Sequence, residues 1–172
     1  MADLISDLLD YSRLGVSVEF ERIDLNDLAS KVLKDLDNAV KASDGTVDVA
    51  GLPFVRGYEI GLRQLLQNLI SNALKFAPPD RAPIITIWHE DEGEHWLLHI
   101  RDNGIGFDLA HAEKAFALFG RLNLRDEYPG TGLGLSICRR VADIHGGSIS
   151  VDTAVGAGAT FTLTLPKSPP AQ

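Results

Sequence analysis

The sequence predicts an α/β protein of the α+β kind, a two-layer sandwich of a mixed, largely antiparallel sheet covered on one face by helices. Three observations predict it. Segments with apolar residues at helical spacing come before and between short β-prone segments. The β-prone segments fall in pairs joined by tight turns, not in strand–helix–strand units. The 172 residues, 45% hydrophobic and 23% charged, suffice for one domain with a real core. No internal repeat is visible.

Residues 2–14 place Leu4, Ile5, Leu8 and Leu9 on one helix face, and Gly15 ends the pattern. Val18 to Ile23 is β-prone and leads to Asp24. There a second amphipathic helix begins, carrying Leu28, Val32, Leu33, Leu36 and Val40 as far as Asp44-Gly45. Thr46–Val49 reads as a short strand, and Gly51–Gly57, with Pro53, as a turn-rich link. A long helix runs from about Tyr58 to Ala77 and stops at Pro78-Pro79, where the backbone donors are missing. Ile84–His89 and His95–Arg101 form two strands joined by the acidic turn Glu90–Glu94. Residues 102–131 are glycine-rich and irregular, with a short helix near Leu109–Phe116. Leu133–His145 is helical again. Ser148–Asp152 and Thr160–Leu165 are closing strands, and Lys167–Gln172 is expected to fray.

A net charge of −8 argues against nucleic acid as a partner. The charge is uneven: residues 1–50 hold eleven acids against five bases, the remainder thirteen against eleven. The nearly neutral remainder is therefore where an anion would bind. Cys138 is the single cysteine, which excludes an intrachain disulfide and a thiolate metal cage. Met1 is followed by Ala2 and Asp3, not by a basic and then apolar leader, and no apolar stretch approaches a bilayer span. A reducing, cytoplasmic setting without direct membrane insertion is the expectation.

Three elements carry chemistry. On the long helix, at about 100° per residue, Gln64, Asn72 and Lys75 fall within about 40° of Asn68, with Leu62, Leu65, Leu66, Leu69, Ile70 and Ala73 opposite. Such a stripe can be a plain solvated face, but asparagine is a poor interior helix former. Two asparagines one turn apart with a following lysine suit oxygen ligands for Mg²⁺ beside a phosphate-pairing cation. The second element is Asp102-Asn103-Gly104-Ile105-Gly106-Phe107. Trp96, Leu98 and Ile100 share a parity that Asp102 continues, so its carboxylate points toward the apolar layer and needs a donor there. A purine amino group is one such donor; an ordinary Asp-Asn-Gly turn is the other reading. The third is Gly130-Thr131-Gly132-Leu133-Gly134-Leu135, which opens a helix and offers bare amides to a phosphate. It has neither the P-loop nor the dinucleotide-fold context, and a glycine hinge is its plain alternative. Between the last two lies Gly120–Pro129, introduced by Phe116 and Phe119, readable as a mobile lid with Arg121, Arg125 and Tyr128. A polar surface loop explains Arg125 equally well.

Together these residues match a known pattern. Gln67-Asn68-Leu69-Ile70-Ser71-Asn72-Ala73-Leu74-Lys75-Phe76 resembles the N box of bacterial sensor histidine kinases. Asp102–Phe107 is similar to their first glycine box, Phe116–Phe119 to their F box and Gly130–Leu135 to their second glycine box. His145-Gly146-Gly147 and Gly158-Ala159-Thr160-Phe161 continue the similarity, which spans roughly Phe20 to Pro166. The chain is identified by this resemblance as a catalytic ATP-binding domain of a two-component kinase, within the wider GHKL ATPase group and its Bergerat fold. The resemblance implies ATP and Mg²⁺ as ligands. It puts Asn72 and Asn68 against the metal, Lys75 on a phosphate, Phe76 near the adenine and Asp102 on its amino group. Gly104 and Gly106 would line the base pocket, and Gly130, Thr131, Gly132, Leu133 and Gly134 would surround the phosphates. Asn68 and Arg121 would stand at the reacting end, with Arg121 on the γ-phosphate.

The family transfers phosphate to a histidine in a preceding dimerisation hairpin, in a His-Glu-Leu-Arg-x-Pro-like context. None of His89, His95, His99, His111 or His145 has that context; the first three read as strand positions and His145 as a helix end. Residues 1–14 resemble the end of the hairpin's second helix, residues 15–166 the catalytic domain, and 167–172 a flexible tail. The implied partners are the dimerisation domain of the same kinase and, indirectly, a response regulator. No efficient autophosphorylation of this chain alone is expected. Ala159 stands where many relatives have a small hydroxyl residue near the adenine Asp. Two rival functions remain: a hydrolysing GHKL ATPase and a nucleotide-gated binding module. The first typically places Glu where Asn68 stands, and an amide cannot accept a proton from water.

Overall fold

Alternating burial along neighbouring strands sets the architecture, seen in a computed structural model that describes residues 2–122, 128 and 130–171. In chain order the elements are α1 (Ala2–Arg13), β1 (Glu21–Asp24), α2 (Leu25–Asp35), α3 (Asp37–Ala42), β2 (Thr46–Val49) and β3 (Phe54–Gly57). Then come α4 (Glu59–Lys75), β4 (Ile84–Glu92), β5 (His95–Asp102), a 3-10 turn (Leu109–His111), α5 (Ala112–Phe116), α6 (Gly134–Ile144), β6 (Ser148–Thr153) and β7 (Ala159–Pro166). Five strands form one sheet in the order β2-β4-β5-β7-β6. β2 runs parallel to β4 and every other pairing is antiparallel, which gives the expected mixed sheet.

One face of that sheet is sealed. Ile85, Ile87, Leu98, Ile100 and Leu163 are each at most 2% exposed, and they meet Leu65, Leu66, Leu69 and Ile70 of α4 and Ile137 and Val141 of α6 in one core. Each such side chain contributes about 1.5–3 kcal/mol of burial, so this layer outweighs any local preference in the strands. The other face carries the opposite parity and no helix: Ser148, Ser150, Asp152 and Arg101 stay exposed. At its centre Trp88 stacks on His99 (centroids 4.8 Å apart), and His99 Nδ1 lies 2.8 Å from Thr162 Oγ1.

The local differences from the sequence expectation have physical causes. The second helix is two: α2 ends at Leu36, whose N–H bonds back to Val32 O, and α3 restarts at Asp37. Gly51–Gly57 is not only a link, since Phe54–Gly57 pairs antiparallel with β1 in a separate two-stranded sheet. The hairpin turn expected over Glu90–Glu94 is tighter, because β4 continues through Glu92. Lys167 is anchored rather than frayed: its N–H donates to Glu94 O (2.9 Å) and its ammonium to Asp91 (2.6 Å).

His145 ties the small sheet to the large layer. Its Nδ1 bonds to Val141 O (2.7 Å), which leaves Nε2 to accept the Tyr58 N–H at 2.9 Å. Phe20 stacks on the ring at 5.3 Å, and the imidazole is 1% exposed. Burial holds its pKa below the ordinary 6.5, partly offset by the Val141 carbonyl.

Candidate functional site

The polar stripe of α4 forms one wall of a cavity of about 820 Å³, within the range that takes a ligand of nucleotide size. Asn68, Ser71, Asn72, Lys75 and Phe76 line it, while their neighbours Leu69, Ile70 and Ala73 lie in the core. Helical periodicity thus places the polar and apolar duties of α4 back to back, as the spacing predicts. Gln64, on the same stripe, does not reach the lining.

Asp102, the last residue of β5, enters the cavity from the sheet side. Its Oδ1 accepts the Gly104 N–H at 2.8 Å, and burial raises its pKa above the ordinary 3.8 despite bonds from the Gly104 and Ala159 amides. A carboxylate in that setting retains acceptor capacity facing the cavity. The turn behind it is held from three sides. Asn103 accepts the Ile84 N–H (2.8 Å) and donates to Ala82 O (3.1 Å), while Arg81 donates to Gly104 O (3.2 Å). Thr153 donates to Gly158 O (2.8 Å) and accepts the Phe107 N–H (3.2 Å). Gly106 must be glycine: its φ is +58° and a Cβ would overlap the Ala154 carbonyl.

The opposite rim is built from the F box and second glycine box. Phe119 adopts φ +59°, and Gly132 (φ +77°) packs so closely on it that a Cβ would stand 2.8 Å from its backbone. Arg121 donates to the carbonyls of Tyr128 (2.7 Å) and Gly130. The Tyr128 ring lies 5.2 Å from that of Phe76, and Lys75 Nζ sits 4.7 Å from the same Phe76 ring. Lys75 is open to solvent at the mouth. Partial desolvation and then the Arg121 guanidinium depress its pKa, while Asp7 pulls it the other way. α6 begins at Gly134 without a side-chain cap, so its first amides have no partner within the helix, and Gly134 faces Asn68 and Asn72.

Most of the expected site residues meet here: Asn68, Asn72, Lys75, Phe76, Asp102, Gly106, Arg121, Gly130, Thr131, Gly132 and Gly134 all line the one cavity. Two do not. Gly104 is buried beneath Asp102, with the Phe76 carbonyl where its side chain would be, so it shapes the pocket without lining it. Leu133 is fully buried in the core and does not line the cavity. Arg125 lies outside the described residues. Sequence reasoning missed Asn103, Arg81 and Thr153, which brace the glycine turn. It also missed Asp3, Leu4 and Asp7 of α1, which close the cavity. Only the helical pattern of residues 2–14 signalled the latter, and it says nothing about where that helix docks.

Comparison with known proteins decides the family. The histidine kinase-, DNA gyrase B- and HSP90-like ATPases match residues 57–169, two thirds of the chain and all of the residues just described except those of α1. The chain belongs to this ATPase family. Within it, the domain is 36% identical over 167 residues to the phytochrome-like protein Cph1 of Synechocystis sp., covering 96% of this chain and 22% of that protein. The chain spans about a fifth of the length of the curated relatives it matches. Its fold is that of histidine kinase catalytic domains. It matches the catalytic domain of the histidine kinase ThkA with a TM-score of 0.75 and 27% identity, covering 88% of this chain and 99% of that one. Full-length ShkA in complex with AMPPNP matches with a TM-score of 0.81 and 26% identity, over 98% of this chain and 36% of that one.

Proposed function

We propose that this domain binds ATP with Mg²⁺ and supplies the γ-phosphoryl group to a histidine on a dimerisation domain, the first step of a two-component relay toward a response regulator. The observation that carries this reading is the opposition, across one cavity, of Asp102 to the Asn68, Asn72 and Lys75 face and the uncapped start of α6. In it, the adenine amino group donates to the Asp102 carboxylate, and Phe76 flanks the base. The phosphates extend to the amides around Gly132 and Gly134, where the helix terminus favours an anion, and Lys75 pairs with them. Among the described residues no cluster of three His, Cys, Asp or Glu side chains is present. The amide oxygens of Asn68 and Asn72 instead fit Mg²⁺ of the kind whose shell is completed by phosphates and water. When bound there, the ion neutralises charge on the phosphate oxygens.

In the transfer step an acceptor imidazole nitrogen forms a bond to Pγ while the bond to the β,γ-bridging oxygen breaks, and ADP carries that electron pair away. No base is needed to activate a neutral imidazole, in keeping with Asn68 in place of a carboxylate. Arg121 exchanges its carbonyl partners for the γ-phosphate. Arg121→Ala is accordingly expected to slow transfer about ten-fold or more while leaving ATP affinity within about two-fold, because the wild-type side chain must give up two hydrogen bonds to engage. Single-turnover transfer and calorimetry separate the two; equal losses in both assign Arg121 to ground-state binding.

On this reading residues 1–14 are an arm belonging to the dimerisation hairpin, 15–166 the catalytic domain and 167–172 a tail, and the domain works on the cytoplasmic side, where ATP is available. Among the described residues no helix is long and apolar enough to cross a membrane. The test is transfer of labelled phosphate from ATP to a separately supplied dimerisation domain, with chelation of Mg²⁺ stopping it and the chain alone staying unlabelled. ATP binding without transfer favours a nucleotide-gated binding module instead, a second reading to which the docking of α1 on the cavity lends weight. Absence of ATP binding overturns both.

A further inference from the structure

α1 closes the cavity with acidic side chains. Asp3 and Asp7 line the same space as Asn72 and Lys75, and Thr131 of the second glycine box donates its hydroxyl to Asp7 Oδ2 at 2.5 Å across 124 residues of sequence. This places a carboxylate among the groups to which a triphosphate would be drawn: the Thr131 hydroxyl, the Lys75 ammonium and the helix-terminal amides of α6.

We propose that Asp7 occupies the place of a nucleotide phosphate oxygen in the unliganded chain, so that ATP and docked α1 are mutually exclusive. The inference rests on the ATP-binding reading and adds a regulation of that site. Four features support it. The Asp7–Thr131 bond uses a donor that a phosphate would use equally well, and a charged acceptor makes it one of the stronger hydrogen bonds. Against the desolvation and the Arg121 charge that depress the Lys75 pKa, the Asp7 carboxylate favours the protonated ammonium, as a phosphate would. Bringing a triphosphate beside Asp3 and Asp7, which line the same cavity, sets like charges against one another. And α1 is otherwise weakly held. None of its residues is buried, Ile5, Leu8 and Leu9 are 57%, 40% and 48% exposed, and only Leu4 and Tyr11 pack against the core. A helix so fixed can leave without unfolding the domain.

The consequence is reciprocal. ATP expels α1 from the cavity, and whatever draws α1 away raises the affinity for ATP by the same factor.

Calorimetry with ATP and with adenosine, on wild type, Asp7→Ala and Asp10→Ala, tests this. Asp10→Ala makes the same change of charge and helix propensity on α1 at a residue that does not line the cavity. Asp7→Ala is expected to tighten ATP roughly three- to ten-fold and to leave adenosine, which has no phosphate, unchanged; Asp10→Ala shifts neither. Amide hydrogen exchange across residues 2–13 should speed up in wild type when ATP is added. Equal or weaker ATP binding by Asp7→Ala overturns the proposal, as does α1 protection that ATP leaves untouched. If neither ATP nor adenosine binds any of the three proteins, it is the ATP-binding reading that fails.

Discussion

Asp102→Asn is expected to weaken ATP binding by about 1.5–3 kcal/mol, roughly ten- to hundred-fold, while leaving the unliganded domain as stable as wild type or more so. The two effects part because the carboxylate sits where charge is unwelcome. Burial raises its folded pKa above 3.8, so at neutral pH the ionised group costs the folded state stability, a cost relieved as pH falls through the folded pKa. The amide can still accept the Gly104 N–H that Oδ1 accepts now. It loses the charge that strengthens a bond from the adenine amino group, and its own NH₂ presents donor to donor when turned toward the base. The same raised pKa sets the pH dependence. Wild-type affinity declines on acidification at a higher pH than an ordinary carboxylate dictates, since a protonated Asp102 no longer accepts as an anion. Calorimetry at neutral pH and near pH 5, with thermal melts of both proteins, checks both halves. Undiminished affinity removes Asp102 from the base site.

His145→Ala is expected to cost about 3–5 kcal/mol of folding stability, the sum of an unfilled ring volume and a stranded donor. The ring fills the space beneath Phe20 and Gly57, and the Tyr58 N–H loses the Nε2 acceptor it now uses at 2.9 Å. Wild type should also show a pH signature. The folded pKa is depressed, so the unfolded chain takes up a proton that the native protein refuses. Stability is therefore intact above 6.5 and is lost as pH falls through that value toward the folded pKa. Asp24 and Asp91 titrate below 3.8 and do not contribute in that window, whereas Asp102, its pKa raised by burial, acts in the opposite direction and is common to wild type and His145→Ala. Urea denaturation between pH 7.5 and 5 measures it. A midpoint that shifts with pH identically in wild type and in His145→Ala contradicts the assignment.

The parts of the fold and site written in local periodicity were legible. The polar stripe of α4, the inward parity of Asp102 and the pairing of β4 with β5 all follow from spacing along a single element. What was lost depends on contacts far apart in sequence. β3 is four residues long and follows Gly51 and Pro53; only its pairing with β1, about thirty residues earlier, makes it a strand. Leu36 fits the apolar stripe of a continuous helix, and nothing local marks the break between α2 and α3. Gly104 and Gly106 look alike in the motif, yet one underlies Asp102 and the other faces the cavity, a distinction set by the Phe76 carbonyl and the 154–158 turn. The docking of α1 joins Asp7 to Thr131, and no pattern within either segment encodes the other.

The back-to-back arrangement of α4 has a mechanical consequence. Asn68, Asn72 and Lys75 share a helix with Leu65, Leu66, Leu69 and Ile70, none of which is more than 2% exposed, so the polar stripe cannot shift without dislodging close-packed side chains. α4 is a fixed jaw. Asp102 is similarly immobile, clamped by the sheet and by the Asn103 and Arg81 braces. On the ATP-binding reading, any adjustment to nucleotides of different length therefore falls on the other jaw, made of Phe119–Leu122 and Gly130–Gly132, once α1 has left. On the same reading, variation in that jaw is expected to retune how long a nucleotide stays bound, while the anchored half keeps the choice of base.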